Sequence, residues 1–216
     1  MSSGTRNDWT PLKYPDDPAT ALRLDEWLSS ASGGLEAVGL DFRGANLSRG
    51  ELQEAILVEA CLQHVDLRKA TLYRSNLEAA DLSGADLSGA DMVRANLDDA
   101  LLRAARLDET DMAKSSLYGV DATGASFRGA RILGASLLDI DLRGADLSDA
   151  LLMDNSFRAK IDDGTIVQGL SGTLFGPADL YSGGTHRSLA GEELERWINT
   201  RGGQVKVLRP RGPRVS

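Results

Sequence analysis

Between residues 79 and 100 the chain reads AADLSGADLSGADMVRANLDDA, with a large apolar residue at every fifth position. An α-helix cannot use that spacing, because five residues advance it by about 500° and the leucines would spiral round the rod. A flat strand cannot use it either, since side chains alternate with period 2 and an odd period sends successive leucines to opposite faces. The chain therefore has to turn once per repeat.

The frame runs without a slip from Phe42 to Phe157, through 24 positions that are Leu, Met, Ile or Phe apart from Ala122. Two residues before each large residue the chain prefers alanine, and the residue between them is polar, often Asp or Asn. A small and a large residue two apart share one face of a short extended piece, so both point inward while the other three positions face out or make the corner. Ala122 fits this rule, because Val120 precedes it and the buried volume is roughly conserved. Leu35 and Ala37 show the same exchange and mark a partial first coil.

Tandem units ADLSG, ADLSG, ADMVR and ANLDD resemble the A(D/N)LXX motif of the pentapeptide-repeat family, and the likeness covers about residues 40–159. The resemblance implies an all-β fold, a right-handed quadrilateral parallel β-helix with four units per coil. Gly44, Gly84, Gly124 and Gly144 fall on one side if the period is 20 residues. About six coils would then stack to roughly 29 Å at the ~4.8 Å spacing of neighbouring strands.

Four segments are expected: an N-terminal arm and capping helix (1–34), the coil (35–159), a strand–helix–strand module acting as cap or dimer contact (160–208) and a basic, disordered tail (209–216). Asp17 followed by Pro18 predicts the start of the first helix, with Ala21, Leu24 and Leu28 against the first coil. The frame would place Lys160 and Asp162 inward, so the coil is expected to stop near Ala159. Further on, Ser188 is expected to cap a helix whose apolar face is Ala190, Leu194, Trp197 and Ile198. That face suits either packing on the terminal coil or, by analogy with family members, a homodimer.

Little in the sequence carries chemistry. Asp81, Asp86 and Asp91 would lie on different sides of the column and cannot converge on one cation. His64 and His186 are isolated, and the lone Cys61 is read as an ordinary surface thiol. No phosphate-binding glycine loop is present, no apolar run is long enough for a membrane span, and the first residues lack the apolar core of a signal peptide. These readings lead to a cytoplasmic protein that is no enzyme, with no cofactor, no metal, no membrane contact and no direct nucleic-acid contact.

The surface remains. Residues 40–160 hold 20 acidic and 14 basic side chains, within a chain of net charge −8. Under a 20-residue period, Glu59, Glu78, Asp98, Asp99 and Asp139 gather on the side led by Leu57, opposed only by Arg158. The resemblance to the quinolone-resistance branch implies an acidic rod that mimics duplex DNA and binds a type II topoisomerase such as DNA gyrase, modulating it or protecting it from inhibitors. Duplex DNA carries about 17 charges over such a length, so the imitation is dilute. The alternative is a rigid scaffold that binds another protein through an apolar strip of Ile56, Val58, Tyr73, Val93, Tyr118, Leu133, Leu138, Leu151 and Met153, unless the C-terminal segment covers it.

Overall fold

A computed structural model describes residues 9–30 and 33–208. Its body is a β-helix. Isolated parallel bridges join residues 20 apart, as in Asp41↔Cys61, Cys61↔Asp81, Asp81↔Leu101 and Leu101↔Asp121, so four pentapeptides complete one coil. All 24 residues of the frame from Phe42 to Phe157 are buried.

One hydrogen-bond scheme repeats through the column. The N–H of the large residue donates to the coil above, as Leu77 does to Asn96 O at 2.7 Å, while the small residue closes the corner, as Ala80 N does to Leu77 O at 3.0 Å. This i→i+3 closure requires φ > 0 at the third turn residue, a type II arrangement. Gly84 and Gly124 supply it without strain at φ +66°, whereas Ala79 and Ala104 adopt it at φ 53°. Where the small position carries a hydroxyl, the oxygen turns back on the chain: Ser75, Thr110 and Ser115 donate to Leu72 O, Leu107 O and Met112 O. Buried polar atoms are thus satisfied locally.

Helix α1, Pro18–Leu28, sits on the first coil. Asp17 caps it, accepting from Thr20 N at 2.7 Å, and Pro18 opens the first turn. Its buried stripe is Thr20, Leu24 and Trp27, which corrects the expected Ala21, Leu24 and Leu28 by one position. The reason is polar: Thr20 Oγ1 accepts from Asp41 N at 3.1 Å, which turns that face toward the coil. Beside the helix, Lys13 pairs antiparallel with Asn46, so the arm also covers part of the first coil's edge.

Strands lengthen at the other end. β1 (Arg131–Leu133) and β2 (Ser136–Asp141) both pair with β3 (Leu151–Asp162), which continues to β4 (Ser171–Phe175) and β5 (Ala178–Ser182). The expected stop near Ala159 is corrected here. Register shifts between Leu138 and Ile140, so Ala159 pairs with Ile140, and the corner that other coils make at this point is missing. The straightened chain alternates, which puts Ala159 and Ile161 inward and leaves Lys160 exposed and Asp162 half-exposed. Thr165 and Val167 then resume the original frame, both buried. Neither charge enters the core.

β5 returns through Gly183 and Gly184, both at positive φ, into the antiparallel β6 (Thr185–Leu189), as two-residue hairpins require. Ser188 pairs with Asp179 in that hairpin, so it is no helix cap; α2 runs Glu192–Asn199 with Gly191 as its N-cap. Finally β7 (Gln204–Leu208) lies parallel to β4. The tail 209–216 lies outside the described residues, as do residues 1–8 of the arm.

Candidate protein-binding faces

The aspartates of the repeat have structural partners first. In nine of them, including Asp81, Asp86 and Asp91, Oδ1 accepts from the backbone N–H two residues on, and Asn46, Asn76 and Asn96 do the same. Such turns pull the carboxylate against the coil. Arginines then cover many of the rest: Arg43 on Asp41 at 2.6 Å, Arg103 on Asp121 at 2.7 Å and Arg143 on Asp141 at 2.7 Å. The Arg43 bonds hold the Asp41 carboxyl down to about 2. Burial pushes the Asp81 carboxyl up, and the Ser83 and Gln63 hydrogen bonds outweigh it, so it too titrates below the usual range.

On the side led by Leu57 the register stacks the expected acidic residues in consecutive coils, since Glu59 N donates to Glu78 O and Ala79 N to Asp98 O. They are not equivalent. Asp98 is half-buried and accepts from Ser116 Oγ and Tyr118 N of the next coil. Asp139 is held in a bidentate pair by Arg158, whose hydrogen bonds lower its carboxyl below the ordinary range. Glu59, Glu78 and Asp99 are exposed and have no ion-pair partner among the described residues.

The apolar strip is open. Tyr73, Val93, Ala113, Leu133 and Met153 form one column, each on the coil after the last, and Ile56, Tyr118 and Met153 are exposed. Val58, Leu138 and Leu151 are half-exposed. The described part of the C-terminal module does not fold back over this strip; β4 and β7 continue the ladder beyond β3.

Of the two uses expected for the apolar face of helix α2, its side chains take the first, packing on the terminal coil. Leu194, Trp197 and Ile198 are buried within the chain, beside Leu147, Leu152 and Phe157, while Ala190 is exposed and precedes the helix. Arg201 lies over the Trp197 ring at 4.2 Å. Among the described residues no group of three His, Cys, Asp or Glu is placed to hold a metal ion, and no helix is long and apolar enough to cross a membrane.

A family model for pentapeptide repeats matches residues 38–72, 60–99, 95–132 and 123–158, more than half of the chain. The chain belongs to the pentapeptide-repeat family. Solved structures similar to this pentapeptide-repeat protein include HetL, involved in heterocyst differentiation regulation, from the cyanobacterium Nostoc sp. strain PCC 7120. It is 27% identical, the match covers 69% of this chain and 78% of that one, and the TM-score is 0.33. Rfr23 from the cyanobacterium Cyanothece 51142 is also 27% identical, over 61% of this chain and 86% of that one, with a TM-score of 0.40. QnrB1, a plasmid-mediated fluoroquinolone resistance protein, is 16% identical over 64% of this chain and 74% of its own, with a TM-score of 0.33. No curated protein matches the chain. Likenesses at these TM-scores carry no functional conclusion.

Proposed function

We propose that this pentapeptide-repeat protein is a non-catalytic protein-binding rod whose acidic side engages the DNA-binding saddle of a type II topoisomerase, DNA gyrase being the member the family resemblance offers. The observation that supports this reading is the run of exposed carboxylates without an ion-pair partner among the described residues, Glu59, Glu78 and Asp99, on three consecutive coils of one side. At ~4.8 Å per coil the run is sparser than the ~1.7 Å charge spacing of duplex DNA, so attraction steers the rod and shape must supply the remainder. A triple variant Glu59→Gln, Glu78→Gln, Asp99→Asn tests it. Gyrase should bind the wild type in competition with DNA, less tightly as salt rises, and bind the variant more weakly at unchanged melting temperature. Supercoiling that is indifferent to the wild-type protein, with and without inhibitor, would remove the topoisomerase reading.

A second reading, a scaffold for another protein, is favoured by one observation: the column from Tyr73 to Met153 is half-exposed along its length and ends on the exposed Met153. With Ile56 and Tyr118 exposed on the adjoining side and Met153 exposed in the column, the strip is a surface that a partner can dry.

A further inference from the structure

The N-terminal arm and the Leu47 side of the first two coils enclose a cleft of about 510 Å³, within the range of small-ligand sites. Its walls are Trp9 and Leu12 from the arm and Arg49, Arg68 and Lys69 from the coil, and among the described residues no carboxylate lines it. That is unusual in a chain of net charge −8. Arg49 and Arg68–Lys69 occupy successive coils, joined by Arg49 N→Arg68 O, so the three basic residues stand on backbone segments ~4.8 Å apart. Asp66 compensates Arg68 at 2.6 Å, whereas Arg49 and Lys69 have no ion-pair partner among the described residues.

The aromatic wall is held in place. Trp9 Nε1 donates to Ser48 O at 3.1 Å, and Leu12 N donates to Asn46 O at 3.0 Å. Gly50 stands at a small inward position where the repeat prefers alanine, and a Cβ there would come 3.0 Å from the Trp9 ring. Trp9 is therefore seated closely on the coil while remaining half-exposed, and Leu12 beside it is 77% exposed. An indole face, an exposed leucine and two uncompensated cations complement an aromatic ring that carries a phosphate.

We propose that this cleft binds a small phosphorylated aromatic ligand: the ring stacks on Trp9 against Leu12, and the phosphate bridges Arg49 and Lys69. This site is independent of the acidic side that serves the proposed function, and the two can fail separately.

The test uses the full chain, with AMP, phenyl phosphate, adenosine and inorganic phosphate as probes and the Trp9 indole N–H resonance and calorimetry as readouts. AMP or phenyl phosphate should shift the Trp9 resonance saturably, with adenosine and inorganic phosphate each at least about tenfold weaker, one charge-assisted contact being worth roughly that factor. Saturation by AMP alone identifies a purine site, and by both esters a site for any phosphorylated ring. The double variant Arg49→Glu, Lys69→Glu should lose AMP binding by about tenfold or more while remaining folded, because Glu54, Glu59 and Glu109 already occupy equivalent corners at φ 56–58°. A second variant, Trp9→Phe, should retain part of the affinity. The proposal is overturned if neither ester moves the resonance, if inorganic phosphate binds as tightly as AMP, or if the charge-reversed protein binds AMP unchanged.

Discussion

The left-handed corners offer a test of the fold in which the two directions of change have opposite signs. Ala79 and Ala104 stand at φ 53° with exposed side chains, so a glycine there removes the strain of an L-residue and no packing. The left-handed conformation costs an L-residue about 1–2 kcal/mol, and glycine gives back roughly 0.5–1 kcal/mol through the entropy of the unfolded chain. Each replacement should therefore stabilise by about 0.5–1 kcal/mol, and the two together by ~1–2 kcal/mol, since they lie on different sides of the coil and share no partner. The converse changes are Gly124→Ala and Gly134→Ala, at φ +66° and +61°, where an added Cβ would meet nothing within 4 Å. These should destabilise by a similar amount through the backbone alone. For a chain of this size 1 kcal/mol moves Tm by roughly 2–4 °C, so the Ala79→Gly, Ala104→Gly protein and the Gly124→Ala, Gly134→Ala protein should separate by about 4–16 °C in a calorimetric scan. Equal melting temperatures, or the reverse order, would refute the assignment of these residues to type II corners.

Two further outcomes concern the column and its charges. Leu97→Ala should cost about 3–5 kcal/mol by chemical denaturation, because Leu97 is fully buried and a rigid stack cannot collapse around the cavity, whereas Asp98→Asn, which keeps an acceptor for Ser116 and Tyr118, should be tolerated. Equal sensitivity at the two positions would contradict the inward and outward assignment. Asp41, Asp66, Asp81, Asp121 and Asp139 all titrate below their ordinary value. Their contribution is present above the unfolded carboxylate value near 3.9 and is lost as pH falls through the folded values, so Tm should stay level from neutrality to about pH 5 and drop between ~4 and ~2. A Tm that begins to fall above pH 6 would point to other groups.

The interior was readable from sequence because one rule, small–polar–large, is repeated in every unit, and all 24 large positions are buried. The ends follow no repeat and were harder. At Phe157 the chain omits a corner, a backbone decision that no residue type announces: Ala159 occupies the place where Ala79 and Ala104 turn left-handed, yet it continues a strand. The apparent burial of Lys160 and Asp162 followed from assuming that the corner was made. Ser188 similarly carried a genuine capping signal, overridden when the Gly183–Gly184 turn drew it into a hairpin. The first helix was read one position out because Thr20 looks like a surface residue until Asp41 N needs an acceptor.

Charge was the least legible property, and the reason lies in what a sum over one side discards. Counting treats Asp81, Asp98 and Glu78 alike, although the first closes a turn, the second is half-buried and bound to the next coil, and only the third is exposed. It also averages along the axis. On the side led by Leu47, Arg49, Arg68 and Lys69 against Asp66 lie in the first two coils, while Asp86, Asp108, Glu109, Asp146 and Asp149 against Arg106 and Arg128 lie in later ones, so a nearly balanced total conceals a basic end and an acidic end. In a column with ~4.8 Å between coils and a screening length of about 8–10 Å in physiological salt, a partner feels two or three coils at a time, not the whole side. The unit of recognition on this rod is therefore a patch of neighbouring coils. Glu59, Glu78 and Asp99 make one such patch, and Arg49 with Lys69 under Trp9 makes another of opposite sign on the opposite side of the column.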